Sequence, residues 1–331
     1  MIANETDDSR RLRVLAVLPG KPQDANSMPF LRRQLSSLSD QGVDVRPFFL
    51  ESRVSPIAIA RQWRELRAAV RTEGPDLVHA HFGTVTALFT ALATTKPLLI
   101  TYRGSDLNPT AAVSWSRNTL AKFFSQLASL RASRIICVSD QLRRRLWWRR
   151  RDIAVLSDGI DLELFRPRDK QEARRQLGWD PDGEILLFTA RNDPVGKGLD
   201  LAEGAAAVAA KSRPGVHLEV LRGKTPSEQM PLLYSAADCL LMCSRFEGSP
   251  NVVKEAMACN CPVVSVDVGD VTERLQHVTP SHITPRDPNA MGAAIVEVLA
   301  QAERSNGRQH ILPLGDREIA TQIVRIYRDA A

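Results

Sequence analysis

The sequence predicts an α/β protein of two doubly wound domains with parallel sheets, and three observations predict it. Short apolar runs rich in β-branched residues recur along the chain, with helix-length segments between them. Because the runs are apolar throughout rather than alternating, they read as strands buried on both faces, as in βαβ units. The runs also form two sets separated by a stretch rich in proline and charge, and 331 residues are too many for one ordinary core.

In chain order the first set is RVLAVLPG (13–20), VDVRPFFL (43–50), DLVHAHFG (76–83), PLLITYRG (97–104), RIICVSD (134–140) and IAVLSDG (153–159). The second is EILLFTAR (184–191), VHLEVLRG (216–223), DCLLMCSR (238–245), PVVSVDVG (262–269) and the shorter SHITP (281–285). Between them, DLELFRPRDKQEARRQLGWDPDGE (161–184) shows no strand pattern and holds the join. Rossmann-like domains are therefore expected over 1–165 and 166–315, facing each other across a cleft. Residues 316–331 read as a separate amphipathic helix with Ile319, Ile323, Ile326 and Tyr327 on one stripe.

Hydrophobic residues at 44% and charged residues at 25% argue against a disordered chain. No run of about 18 apolar residues occurs, so no membrane-spanning helix is expected. The first twenty residues carry charge where a secretory signal needs an apolar stretch, which points to a cytoplasmic protein. Cys239/Cys243 and Cys259/Cys261 lie in or beside apolar runs with no histidine at zinc-site spacing, so buried thiols are expected and a metal is not. Charge is uneven, with 24 Lys+Arg against 16 Asp+Glu in residues 1–165 and 20 against 22 in the rest. The basic first half is the one suited to an anionic partner.

Ligands of doubly wound sheets bind beyond the carboxyl ends of the strands, where the unusual residues of this chain gather. FEGSPNVVKEA (246–256) is the most informative stretch. Ser249 is placed as N-cap and Pro250 as the first residue of a helix running to about 259. The free N–H groups around Asn251 to Val253 would then form an anion site suited to phosphate. Glu247 and Glu255 flank it; like charge keeps both off a phosphate, and ionised carboxylates accept from hydroxyls. A nucleotide sugar has that form, with phosphate at its centre and hydroxyls at both ends. TARNDPVGKG (189–198) adds Arg191 and Lys197, cations able to neutralise a diphosphate as the sugar bond breaks. A capped helix with two solvated acids is the plainer alternative.

With ILLFTARNDPVGKGLDLA, YSAADCLLMCSRFEGSPNVVKEAMACNCPVVSVDVGDVTERL and VLSDGIDLELFRP on the page, the second half resembles the retaining, GT-B-fold glycosyltransferases of family 4. DLVHAHFG and TYRGSDL extend the resemblance into the first half; it covers most of 76–275 and is most specific at 238–270. It implies a metal-independent transferase with no cofactor, the donor in the second domain and the acceptor mainly in the first. It places Glu247 near the donor sugar's hydroxyls, Glu255 on the nucleotide ribose, and Arg191 and Lys197 on the diphosphate. Gly248, Ser249, Asn251, Val252, Val253 and Arg222 join the donor side, and Gly20, His79, Gly104, Ser105 and Asp106 the acceptor side. It also implies that the last helix crosses back onto the first domain. Three departures stand out. Arg103 replaces a frequent histidine, which leaves it a charge-stabilising role rather than a base's. The loop PGKPQDANSMPF has one glycine where the family often has two. The region between the second and third strands of the second domain is short, leaving a base-reading pocket near Arg222 to Lys224 ill defined.

His79 and His81, two apart on a strand, share a face; His81 reads as an acceptor-contacting or acid–base residue, with simple packing as the alternative. RRRLWWRRR (143–151) sets Arg143, Arg144, Arg145, Arg149, Arg150 and Arg151 around Trp147 and Trp148. Indoles and basic groups together suit an anionic membrane surface. A solvated helix end is the bland alternative, and nucleic acid ranks third. The expected partners are thus a nucleotide-sugar donor and a glycan or lipid-linked acceptor, in bacterial polysaccharide or glycolipid assembly, at the cytoplasmic face of the membrane. Rival readings are a nucleotide-sugar epimerase or phosphorylase of the same architecture, or a non-catalytic partner subunit that keeps the fold. RGKT (222–225) is no P-loop, since the required earlier glycine falls on Leu218.

Overall fold

The computed structural model describes residues 11–22, 28–51, 55–109, 115–148, 153–223 and 225–331. All eleven apolar runs form strands. β1 (Arg13–Pro19), β2 (Asp44–Leu50), β3 (Leu77–His81), β4 (Leu98–Tyr102), β5 (Arg134–Cys137) and β6 (Ile153–Val155) make one parallel sheet in the order β2-β1-β3-β4-β5-β6. β7 (Glu184–Arg191), β8 (Val216–Arg222), β9 (Cys239–Met242), β10 (Val263–Val266) and β11 (His282–Thr284) make a second, in the order β11-β10-β9-β7-β8. Strand order reverses at β1 and at β7, so each sheet has a switch point where its helices diverge and leave a crevice.

The last helix, Asp316–Ala330, does not pack on the second sheet that precedes it. Its buried face of Ile319, Ala320, Ile323, Val324 and Tyr327 joins Val14, Leu38, Leu77, Leu99 and Ile136 of the first domain in one cluster. Ile326, expected on that stripe, is only half-buried. Arg33 Nε donates to Asp316 Oδ2 at 3.2 Å, and Gln41 Nε2 donates to Thr321 Oγ1 at 2.8 Å.

This packing corrects the assignment of His79 to the acceptor side. β3 lies between β1 and β4, and every residue in it is buried. His79 Nδ1 is 2.7 Å from the Tyr327 hydroxyl and Nε2 is 2.7 Å from Thr101 Oγ1, so both ring nitrogens are occupied inside the core. The five cysteines are buried and unpaired. Among the described residues no helix is long and apolar enough to cross a membrane.

Replacing Tyr327 by Phe removes one of the two partners of a fully buried imidazole. The variant should lose about 1–3 kcal/mol of stability, the cost of an unmet buried polar group. Urea unfolding reads this directly; an unchanged midpoint would contradict the structural role given to His79.

Candidate functional site

The second domain supplies its cations through a distorted strand end. The β7–β8 register shifts between Thr189 and Arg191, and Arg191 takes φ +50°, in the left-handed region that non-glycine residues seldom enter. The bulge turns the chain into a tight turn where Asp193 Oδ1 accepts from the Gly196 amide at 2.9 Å. Gly198 follows at φ +77°, where a Cβ would collide with the Cys243 carbonyl oxygen. Lys197 is thereby brought to the end of β9, and its Nζ lies 2.5 Å from Glu247 Oε1.

The Glu247 turn differs from the expected capping scheme. The helix spans Asn251–Ala258, and Pro250 occupies the cap position without a side-chain bond. Ser249 Oγ instead donates to Asp270 Oδ2 at 2.9 Å, drawn to a carboxylate that Arg274 also pairs at 2.8 Å. Val253, assigned to the donor side, is buried in the core, and its amide returns to the Pro250 carbonyl at 3.2 Å. The anion-binding reading therefore rests on Asn251 and Val252, and Asn251 Oδ1 is buried without a partner among the described residues. One helical turn later, Glu255 accepts from the Tyr234 hydroxyl at 2.8 Å. Burial pushes its carboxyl above the usual range, against the pull of that hydroxyl and of Arg33.

Across from this turn stands Arg103, 8% exposed and protonated at neutral pH, although burial pushes its pKa down to about 9. Its guanidinium pairs with Asp158. Nη2 lies 2.9 Å from Gln34 Oε1 and 3.1 Å from His81 Nδ1, and the plane lies over Phe30 and Phe82 at 5.2 and 5.8 Å. The charge is thus spent within the protein rather than offered freely to a ligand. Asp106 does not face the acceptor side either: it is buried, and its carboxylate accepts from the amides of Gly83, Arg103 and Gly104 at 2.8–3.1 Å. His81 is fully buried and lines neither cavity, which removes the expected acid–base role. Burial, with His79 and Arg103 nearby, holds its pKa well below the ordinary value, so it is neutral.

The two domains meet closely here. Asn108 Nδ2 donates to the Glu247 carbonyl at 2.7 Å, and a Cβ on Gly248 would strike the Arg103 carbonyl oxygen. Two cavities open between the strand ends. One, of about 380 Å³, is lined by Arg103, Gly104, Ser105, Arg191, Lys197 and Glu247, among others. The other, of about 500 Å³, is lined by Arg33, Arg191, Glu228, Asn251, Val252 and Glu255, among others. Arg191, Asn251 and Val252 border both, so cations, helix N-terminus and the two acids line one continuous wall. The volumes suit a ligand of drug size or larger.

Some expected residues stand apart. Arg222 is exposed and lines neither cavity, while its neighbours Leu221 and Gly223 line the larger one; Lys224 lies outside the described residues. Gly20 hydrogen-bonds to the Leu50 carbonyl at 3.0 Å and also stays off both cavities. In the basic patch, Arg143 and Arg144 share Asp140, and Arg145 is half-buried. Trp148 is half-buried, its Nε1 donating to the Gln126 carbonyl and to Ser129 Oγ, so Trp147 alone of the two indoles is exposed. Arg149, Arg150 and Arg151 lie outside the described residues. Missed altogether were Asn108, Asp158 and Lys254, whose partners are far away in sequence. Buried Lys254 donates from Nζ to the Asp158 carbonyl at 2.7 Å.

Comparison with known proteins follows the same division. Residues 10–164 match the family described as Glycosyltransferase Family 4, and residues 187–301 match glycosyl transferases group 1. A D-inositol 3-phosphate glycosyltransferase of Segniliparus rotundus is 30% identical over 181 residues, covering 46% of this chain and 40% of that protein. A Bacillus subtilis protein, TuaC, provisionally named a teichuronic acid biosynthesis glycosyltransferase, is 28% identical over 242 residues, covering 67% and 60%. The chain therefore spans about half the length of the curated relatives it matches. Among solved structures, Anabaena Alr3699/HepE in complex with UDP and glucose superposes with a TM-score of 0.72 at 17% identity, covering 96% of this chain and 100% of that one.

Lys254 gives the site a measurable pH signature. Burial pushes its pKa from the ordinary 10.5 down to about 8. Between those values the unfolded chain binds more protons than the folded one, so folding stability gains as pH rises through that window. Relative to Lys254→Met, the wild type should gain up to about 3 kcal/mol between pH 8 and 10.5 and nothing below. Parallel pH profiles for the two proteins in denaturant unfolding would contradict this.

Proposed function

From a chain that belongs to the group 1, family 4 glycosyltransferases, we propose the transfer of a sugar from a nucleotide-sugar donor to an acceptor hydroxyl, with retention at the anomeric carbon. The observation that carries the reading is the Lys197–Glu247 pair beside the N-terminus of the Asn251–Ala258 helix. It joins a cation for a leaving diphosphate to an acid for sugar hydroxyls, at the switch point of the second sheet. Glu255, one turn further on, is suited to a ribose, and Arg191 at the junction of the cavities to the diphosphate. The complex of the Anabaena protein with UDP-glucose supports a nucleotide sugar as donor.

In the proposed step the bond from the anomeric carbon to the diphosphate oxygen breaks, and its electron pair leaves with the diphosphate. Arg191 and Lys197 stabilise that charge, in place of a metal. The acceptor oxygen bonds to the same face of the anomeric carbon, and its proton passes to the departing phosphate oxygen. The acceptor enters over Gly104 and Ser105 of the first domain, which line the smaller cavity. The relative named for teichuronic acid biosynthesis supports an acceptor in bacterial surface polysaccharide assembly.

A panel of nucleoside-diphosphate sugars, assayed for release of the nucleoside diphosphate in excess EDTA, tests this. Turnover should persist without metal. Glu247→Gln should lower kcat about 10²–10³-fold, the scale of one lost transition-state contact. Glu255→Ala should instead weaken nucleoside diphosphate binding about tenfold or more. Activity restored only by manganese, or an epimerised sugar formed without acceptor, would overturn the reading.

A further inference from the structure

The Trp115–Arg131 helix is inside out. Its buried positions are Ser125, Gln126, Ala128 and Ser129, whereas Leu120, Phe123, Leu127 and Leu130 are 41–52% exposed. Spacings of three, four and three residues put those four on one stripe. Trp147, 56% exposed, stands beside it with its ring 6.5 Å from that of Phe123. Leu92 is 67% exposed at the end of the Thr84–Ala93 helix, which packs alongside. Six of the twelve large apolar residues exposed among the described residues thus belong to this one region.

The inward polar groups explain why the helix sits this way round. Ser125 Oγ donates to the Asp106 carbonyl at 2.8 Å, and Gln126 Nε2 to the Arg145 carbonyl at 2.9 Å. Gln126 Oε1 accepts from the Trp147 amide at 3.0 Å, and Ser129 Oγ donates to the Gln126 carbonyl at 2.6 Å. Turning the leucines inward would take these partners from the Asp106 and Arg145 carbonyls and the Trp147 amide. The helix also carries Arg117, Lys122 and Arg131 and no acid. The neighbouring carboxylate of Asp140 is taken by Arg143 and Arg144.

We propose that this face seats the protein on an anionic lipid bilayer, with the stripe and Trp147 in the interface and the cations among the headgroups. A second copy of the chain fits less well, because docking two such faces would bring like charges together. Ser125 ties the helix to Asp106, beside the Gly104–Ser105 rim of the cleft, so docking would hold the acceptor entrance near the membrane. Only that last consequence, a lipid-borne acceptor, rests on the transferase reading.

The test is co-sedimentation of the purified chain, without donor or acceptor, with phosphatidylcholine vesicles and with vesicles also containing phosphatidylglycerol. Wild type should bind the anionic vesicles at low salt and lose most of that binding at high salt. Phe123→Ser with Leu127→Ser should weaken binding about tenfold or more while keeping the salt dependence. Arg117→Gln with Arg144→Gln should weaken it about tenfold and flatten the salt dependence. All four residues are exposed, so unfolding should be unchanged; Leu130→Gln serves as a milder variant if the double one fails to fold. Wild type that ignores anionic vesicles, or apolar variants that bind as well as wild type, would overturn the proposal. So would a dimer, seen by light scattering, that the stripe variants dissolve.

Discussion

A guanidinium buried between two domains has to be neutralised, and much of this molecule follows from how Arg103 meets that demand. Its counter-charge, Asp158, lies in the segment that leaves the first sheet. The carbonyl of the same residue takes the buried ammonium of Lys254, on the helix that carries Glu255. One residue thus links the loop after β4 to the helix beside the Glu247 turn. Removing one member of such a buried pair costs about 3–5 kcal/mol, because the other charge is left stranded. The close approach of Gly248 to the Arg103 carbonyl and the Asn108 bond to the Glu247 carbonyl follow from that anchoring. The first domain therefore shapes the turn on which the second carries its acid.

The charges in the cleft divide into two kinds. Arg103 and Lys254 are buried and held by protein groups. Arg191 is exposed, and Lys197 is 28% exposed in a single pair with Glu247. An incoming diphosphate would compete with Glu247 for Lys197 and leave the carboxylate to accept from hydroxyls, so binding and alignment of the acid become one event. The buried set fixes the frame, and the accessible set stands open to a ligand.

Much of this was legible in the sequence. Uniformly apolar runs mark strands buried on both faces, and all eleven formed. Arg191, Lys197 and Glu247 follow the ends of β7 and β9 closely, and Glu255 lies in the helix that the Glu247 turn leads into, so their sequence positions were enough to suggest one wall. Ser249 was misread because its partner, Asp270, lies on a different loop. His79 and His81 resemble site residues in sequence, yet β3 is central in its sheet and its carboxyl end is covered. Asp158 and Lys254 gave no local signal, since the counter-charge of a buried guanidinium and the acceptor of a buried ammonium are defined only by tertiary contact. The Leu120–Leu130 stripe shows a further limit: helical periodicity reveals that a helix has an apolar face, not which way that face turns.

Hydrogen exchange with and without a saturating nucleoside diphosphate tests the central claim, that the wall between β7 and the Asn251–Ala258 helix receives the phosphorylated donor. Amides in 189–198 and 247–255 should exchange more slowly with ligand bound, while those of the Trp115–Arg131 helix stay unchanged. Protection confined to the first domain, or none at saturation, would contradict the account.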